Sequence, residues 1–169
     1  MDWELIIGNL CTLLASGTNG FSSTRKTAKG VLLWQSLGQL IYFASGVVLR
    51  GYSAAAQNVV SILRNLAAMR NVKSKTVEWI LTVLGVALGL AFNNRGFMGL
   101  LPVVGNLQYT LAIFRFKDNE RILKASFLIS SVAYAAFNTV IRNYVGVVTD
   151  SAVAITTAIV LIREWKRKK

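Results

Sequence analysis

VEWILTVLGVALGLAFNN, from Val77 to Asn94, is an apolar stretch that matches nothing else in the chain, although the sequence before it is echoed after it. It is close to the roughly 20 residues of helix needed to cross a bilayer. Gly85 and Gly89 within it have the small-xxx-small spacing by which membrane helices pack closely. Working outward, six further apolar segments appear: Trp3–Phe21, Val31–Leu49, Ser53–Met69, Phe97–Phe114, Ile122–Ile141 and Val145–Ile162. The expected fold is therefore all-α, a polytopic membrane protein with seven transmembrane helices.

Composition agrees. Hydrophobic residues make up 54% of the chain and charged residues 15%, against about 25% charged in an ordinary soluble domain. Histidine is absent, and the single Cys11 lies in an apolar run as a small packing residue, so no disulfide framework, metal site or cofactor is expected. Paired carboxylates at helical spacing, a Gly-x-Ser-x-Gly elbow and a phosphate loop are also missing, which argues against an enzyme. Asp2 and Glu4 stand where a signal peptide would be basic, and Asn9 interrupts the first apolar run, so that segment is expected to be retained.

A net charge of +12 would suggest nucleic acid in a soluble protein. Alternating the loops across a membrane gives another reading. Arg25, Lys26, Lys29, Arg70, Lys73, Lys75, Arg115, Lys117, Arg121, Lys124, Arg163, Lys166, Arg167, Lys168 and Lys169 fall on one side, and only Arg50, Arg95 and Arg142 on the other. The positive-inside rule then predicts an outside N-terminus and a cytoplasmic C-terminus, with the bilayer and not nucleic acid as the partner. Trp3 fits the outer interface, and Trp79 and Trp165 the inner one.

The repeat rests on residues that can be laid side by side. Ile6-Ile7-Gly8-Asn9-Leu10 corresponds to Val103-Val104-Gly105-Asn106-Leu107, a displacement of 97 from Ile6 to Val103. Tyr42 corresponds to Tyr134, Arg50 to Arg142 and Tyr52 to Tyr144, each displaced by 92, which implies a basic loop five residues shorter in the second copy. Residues 1–72 then form a three-helix repeat, 73–96 a linking helix and 97–169 a second repeat with a basic tail. A three-helix unit ends on the side opposite its start, so one extra crossing lets the second copy enter the same way up. Two parallel repeats with a site between them at mid-membrane is a known transporter plan.

Leu100-Leu101-Pro102-Val103-Val104-Gly105-Asn106, the closing Phe114-Arg115, and Ser61-Ile62-Leu63-Arg64-Asn65 running on to Arg70 resemble the YgjV-like family of small bacterial inner-membrane proteins. That resemblance implies a fold and an inner-membrane location. More distantly, the 3+1+3 plan is similar to the SWEET and PQ-loop (MtN3-like) transporters, which implies facilitated transport by alternating access and an asparagine on the third helix of each repeat facing the cavity. Here that helix offers Asn58, and its counterpart in the seventh is Asp150. No Pro-Gln pair is present, and Leu5 stands where Pro102 would have its partner.

A carboxylate inside a membrane helix costs on the order of 2.5–3.5 kcal/mol on insertion scales, so Asp150 should face a cavity or a partner. It could bind a cationic part of a substrate, couple a proton, or pair with Arg64, which could instead snorkel to the interface. Asn9 and Asn106 are candidates for cavity contacts or interhelical glue. Tyr42, Tyr134, Trp34, Gln35 and Gln39 are candidate gate or cavity groups. The function expected is a facilitator for a small polar solute such as a sugar, nucleoside or vitamin. The alternative is a non-transporting receptor, assembly or structural partner whose centre is closed or permanently ligated. A homo-oligomer is possible for either.

Overall fold

An uncharged run in hydrocarbon can satisfy its peptide groups only within itself, which makes each apolar segment a helix. The computed structural model describes residues 2–22, 24–70, 72, 74–116 and 119–166. Seven α-helices follow in order: α1 (Trp3–Ser22), α2 (Ala28–Val48), α3 (Tyr52–Met69), α4 (Lys75–Ala91), α5 (Leu101–Arg115), α6 (Glu120–Val140) and α7 (Tyr144–Lys166). A 3₁₀ turn, Gly96–Leu100, leads into α5, and there is no strand among the described residues. Three helices begin two or three residues before their apolar runs, where polar caps satisfy the first amides: Thr27 on Gly30, Ser74 on Thr76 and Asn119 on Ile122. Of the inner-side basic residues in the topology argument, Lys73, Lys117 and 167–169 lie outside the described residues.

Four helices are long and apolar enough to cross a membrane: Lys29–Val48, Gly96–Arg115, Glu120–Val140 and Tyr144–Lys166. The other three fall short for local reasons. α4 has 17 residues, α1 carries Asn9, Thr12, Ser16, Thr18 and Asn19 along its length, and α3 buries Gln57, Asn58, Ser61, Arg64 and Asn65.

The helices form a closed ring, with neighbours in the order α1, α2, α3, α5, α6, α7 and back to α1. α4 lies outside it, in the groove between α3 and α5. Its outer face, with Trp79, Ile80, Val83 and Leu90, is exposed, while Gly85 lets Gln57 Nε2 reach its carbonyl at 2.8 Å. At Gly89 a Cβ would stand 2.6 Å from Gln57 Nε2. Many large apolar residues face outward, with Phe97 77% and Val148 69% exposed, while much of the interior is small or polar, with Thr12, Ser45, Ser53, Gln57 and Thr110 buried. That inversion suits lipid, where large apolar residues lose nothing by facing outward.

Two tight turns at one end of the ring, hereafter the turn face, have the same construction. After α2, Arg50 takes φ 55°, with Arg50 N donating to Val47 O and Gly51 N to Gly46 O. After α6, Arg142 takes φ 57°, with Arg142 N donating to Thr139 O and Asn143 N to Asn138 O. Both are Schellman motifs with arginine in the left-handed position that usually carries glycine. Each arginine's carbonyl is clasped by an asparagine amide from elsewhere: Asn94, in the connection after α4, donates Nδ2 to Arg50 O at 2.8 Å, and Asn9 of α1 donates Nδ2 to Arg142 O at 3.1 Å.

The starts of α2 and α6 and of α3 and α7 are each displaced by 92, Ala28 to Glu120 and Tyr52 to Tyr144, whereas α1 and α5 start 98 apart, at Trp3 and Leu101, and end 93 apart, at Ser22 and Arg115. Ser22 to Ala28 and Arg115 to Glu120 differ by one residue in spacing, so no loop is five residues shorter. The Gly-Asn match at 97 agrees with the start of α5 and stands about one helical turn from the register of its end.

Leu49, Ala54, Phe137 and Ile141 form an apolar cluster just inside the turn face, with Leu5, Leu101 and Tyr134 packed on it. Because α1, α2, α3, α5 and α6 all contribute, the cluster closes the ring at that end. The opposite end is the basic face.

Candidate functional site

Helical spacing divides the inward side of α3 into two stripes. Gln57, Ser61 and Arg64 share one, turned to α4 and α5; Ala54, Asn58 and Asn65 share the next, turned to the middle of the ring. Ala54 belongs to the apolar plug, so Asn58, one turn along, lies directly beneath it. Asn58 is 8% exposed and Asn65 5%, yet neither amide makes a hydrogen bond among the described residues.

Asn106 of α5 organises the first stripe. Its Nδ2 donates to Gln57 Oε1 at 2.8 Å, and its Oδ1 accepts from Arg64 Nη1 at 3.0 Å and Ser61 Oγ at 3.3 Å. Arg64 Nη1 also donates to Thr110 Oγ1 at 3.1 Å, and its guanidinium lies 5.3 Å from the Tyr109 ring centroid. Arg64 is 8% exposed and does not snorkel. It is not paired with Asp150 either, and no carboxylate lies within 4 Å of it among the described residues.

Asp150 is held from α6. Asn138 Nδ2 donates to Asp150 Oδ2 at 2.8 Å, Asn143 Nδ2 donates to Asn138 Oδ1 at 3.1 Å, and Gly146 N donates to Asn143 Oδ1 at 3.1 Å. The carboxylate is thus tied back to the α6–α7 turn, and its Oδ1 has no donor among the described residues. Tyr42 exchanges a hydrogen bond of 2.8 Å with Ser16 of α1. Asn58 and Asp150 each stand six residues beyond the start of their helix, at Tyr52 and Tyr144.

In the basic-face half, a cleft of about 300 Å³ opens among α5, α6 and α7, walled by Tyr109, Leu123, Phe127, Thr157 and Val160. Lys124 at its rim pairs with Glu120 at 3.4 Å and with Glu164. Tyr109 belongs to both cleft and network: its ring packs on Phe127, with centroids 5.6 Å apart, and carries Arg64 on its other contact.

Not every candidate falls here. Asn9 clasps the α6–α7 turn, donating to Arg142 O and accepting from Val145 N at 3.0 Å, so it and Asn106 do different work. Trp34 stacks edge-on against Phe21, with centroids 4.7 Å apart, beneath the Arg25 guanidinium. Gln39 is half-buried, two turns from the Gly46 that packs on Ala55. The sequence reading left out Gln57, Asn65, Thr110 and Asn138. The spacing of Gln57, Ser61 and Arg64 at i, i+4 and i+7 was the available signal.

A family model described as bacterial inner membrane protein, Imp-YgjV, matches residues 6–168. The chain belongs to the Imp-YgjV family. Membership together with the apolar helices gives this YgjV-family chain a membrane location, the bacterial inner membrane. No curated protein and no solved structure matches it.

Proposed function

We propose that this YgjV-family chain is transporter-like, a facilitator that moves a small polar metabolite by alternating access through the centre of the helix ring. Its α1–α3 and α5–α7 halves act as parallel three-helix repeats, α4 is the crossing that keeps them parallel, and the basic face is cytoplasmic. The two like-built Schellman turns and the peripheral place of α4 support this arrangement.

One observation carries the reading: Asn58 and Asp150 stand at equal depth beneath an apolar plug and keep polar atoms that the protein does not engage. Neither side chain is among the fully enclosed, unpartnered ones, which are Asn19, Ser53 and Thr82 among the described residues, so both keep polar atoms open to a ligand or water in the centre. In this reading the turn face is closed by the apolar cluster, and a solute enters from the basic face.

Uptake into proteoliposomes, run over a panel of sugars, nucleosides and vitamins, tests the proposal. At least one solute should be taken up, and Asp150→Asn or Asn58→Ala should abolish its uptake in protein that remains folded. Uptake unchanged by both substitutions would remove the site, and a panel without any substrate would favour a closed, non-transporting centre.

A further inference from the structure

Among the described residues two charged side chains are buried, Glu78 and Arg64. Glu78 takes the guanidinium of Arg115 at 2.8 Å. Arg64 takes only neutral acceptors, Asn106 and Thr110, and both through Nη1. Its Nε and Nη2, three of the five N–H groups a guanidinium presents in a planar fork, have no acceptor among the described residues. At the cleft rim, by contrast, Lys124 already has Glu120 and Glu164.

A buried cation is ordinarily paired, because desolvation of an isolated charge is costly. The free edge of a guanidinium matches the two oxygens of a carboxylate or phosphate. Arg64 rests on Tyr109, which lines the cleft of about 300 Å³, and on α3 it stands next to Asn65 and six residues from Asn58, both on the adjoining stripe. We propose that Arg64 is an oxyanion-recognition site, and that the ligand of this protein is a small soluble metabolite carrying a carboxylate or phosphate. Its anionic end docks on Nε and Nη2, while its hydroxyl or amine groups face Asn58, Asn65 and Asp150. This rests on the reading of the centre as a ligand site and names the class of ligand it takes.

Thermal unfolding of the purified full chain provides the test. Inorganic phosphate, succinate and glucose 6-phosphate are titrated against sodium chloride of equal ionic strength, with glucose and uridine as neutral probes. At least one oxyanion should raise the melting temperature saturably, by roughly 5 °C at about 100 times its Kd. Arg64→Met should abolish that shift without lowering the melting temperature of the free protein, since Ser61 still serves Asn106 and the uncompensated charge is gone. Arg64→Lys should keep a weakened shift, so a folding failure of the Met variant leaves the test intact. An equal shift in Arg64→Met would overturn the proposal, as would a shift with anionic lipid alone, which would make Arg64 a headgroup site. If only glucose or uridine stabilises the protein, and Asp150→Asn removes that effect, the oxyanion proposal falls while the central site stands.

Discussion

α3 and α7 leave the same kind of turn, each after an arginine in the left-handed conformation, and then diverge. α3 has 18 residues and buries Gln57, Asn58, Ser61, Arg64 and Asn65. α7 has 23, is apolar enough to qualify as a membrane span, and carries one carboxylate in its turn-face half, Asp150. The difference follows from their surroundings. α3 is covered by α2, α4 and α5, whereas α7 has only α1 and α6 as neighbours and presents Val148, Ile155, Ile159 and Ile162 outward. Polar side chains are tolerated in a membrane helix where protein covers them, so the outer helix α4 is what allows α3 to be the polar wall of the centre.

The largest effect expected from breaking this contrast is at Asn106. Asn106→Leu leaves Arg64 and Gln57 short of partners on α3 and should cost about 3 kcal/mol, seen as a fall of roughly 6–12 °C in melting temperature. Little change would mean that the α3 network contributes no stability. Next comes Gly146 in α7, where a Cβ would stand 2.6 Å from Asn138 Nδ2 and 2.7 Å from Asn143 Nδ2. Gly146→Val should cost about 2 kcal/mol and free Asp150 from Asn138, with loss of any ligand-induced thermal shift. The turns come third. Arg50→Gly and Arg142→Gly should each stabilise by roughly 0.5–1 kcal/mol through relief of left-handed strain, by similar amounts and additively in the double variant. Unequal values would sink the claim that the two turns are energetically alike. Asp150→Asn should be the mildest, under about 0.5 kcal/mol in unfolding measurements, because the new amide oxygen can still accept from Asn138.

Much of the fold was legible because lipid imposes one rule on the whole chain: each apolar run becomes a helix. Where the runs began late, at Val31, Val77 and Ile122, the polar caps explain the difference. The site was legible only in part. Asn58 and Asp150 stand out as polar residues in apolar helices, and their equal depth follows from the matched arginine and tyrosine positions. Their partners do not stand out, because Asn138 to Asp150 and Arg64 to Asn106 are contacts between helices, which periodicity along one helix does not reveal. For the same reason Trp34 looked available until Phe21 of α1 was seen against it. The Gly-Asn match fits the start of α5 but not its end, because the 3₁₀ turn Gly96–Leu100 stands ahead of α5 where α1 has no counterpart.

The central claim is that Asn58 lines a polar space reached from the basic face and shut at the turn face. Replacing Cys11 with serine and Asn58 with cysteine allows a direct measurement: the rate of modification by a membrane-impermeant maleimide, added to either side of sealed vesicles. Modification from the basic side, with protection from the turn side, is the predicted result. Modification from neither side, in folded protein, would mean that the centre is packed shut and would contradict the account.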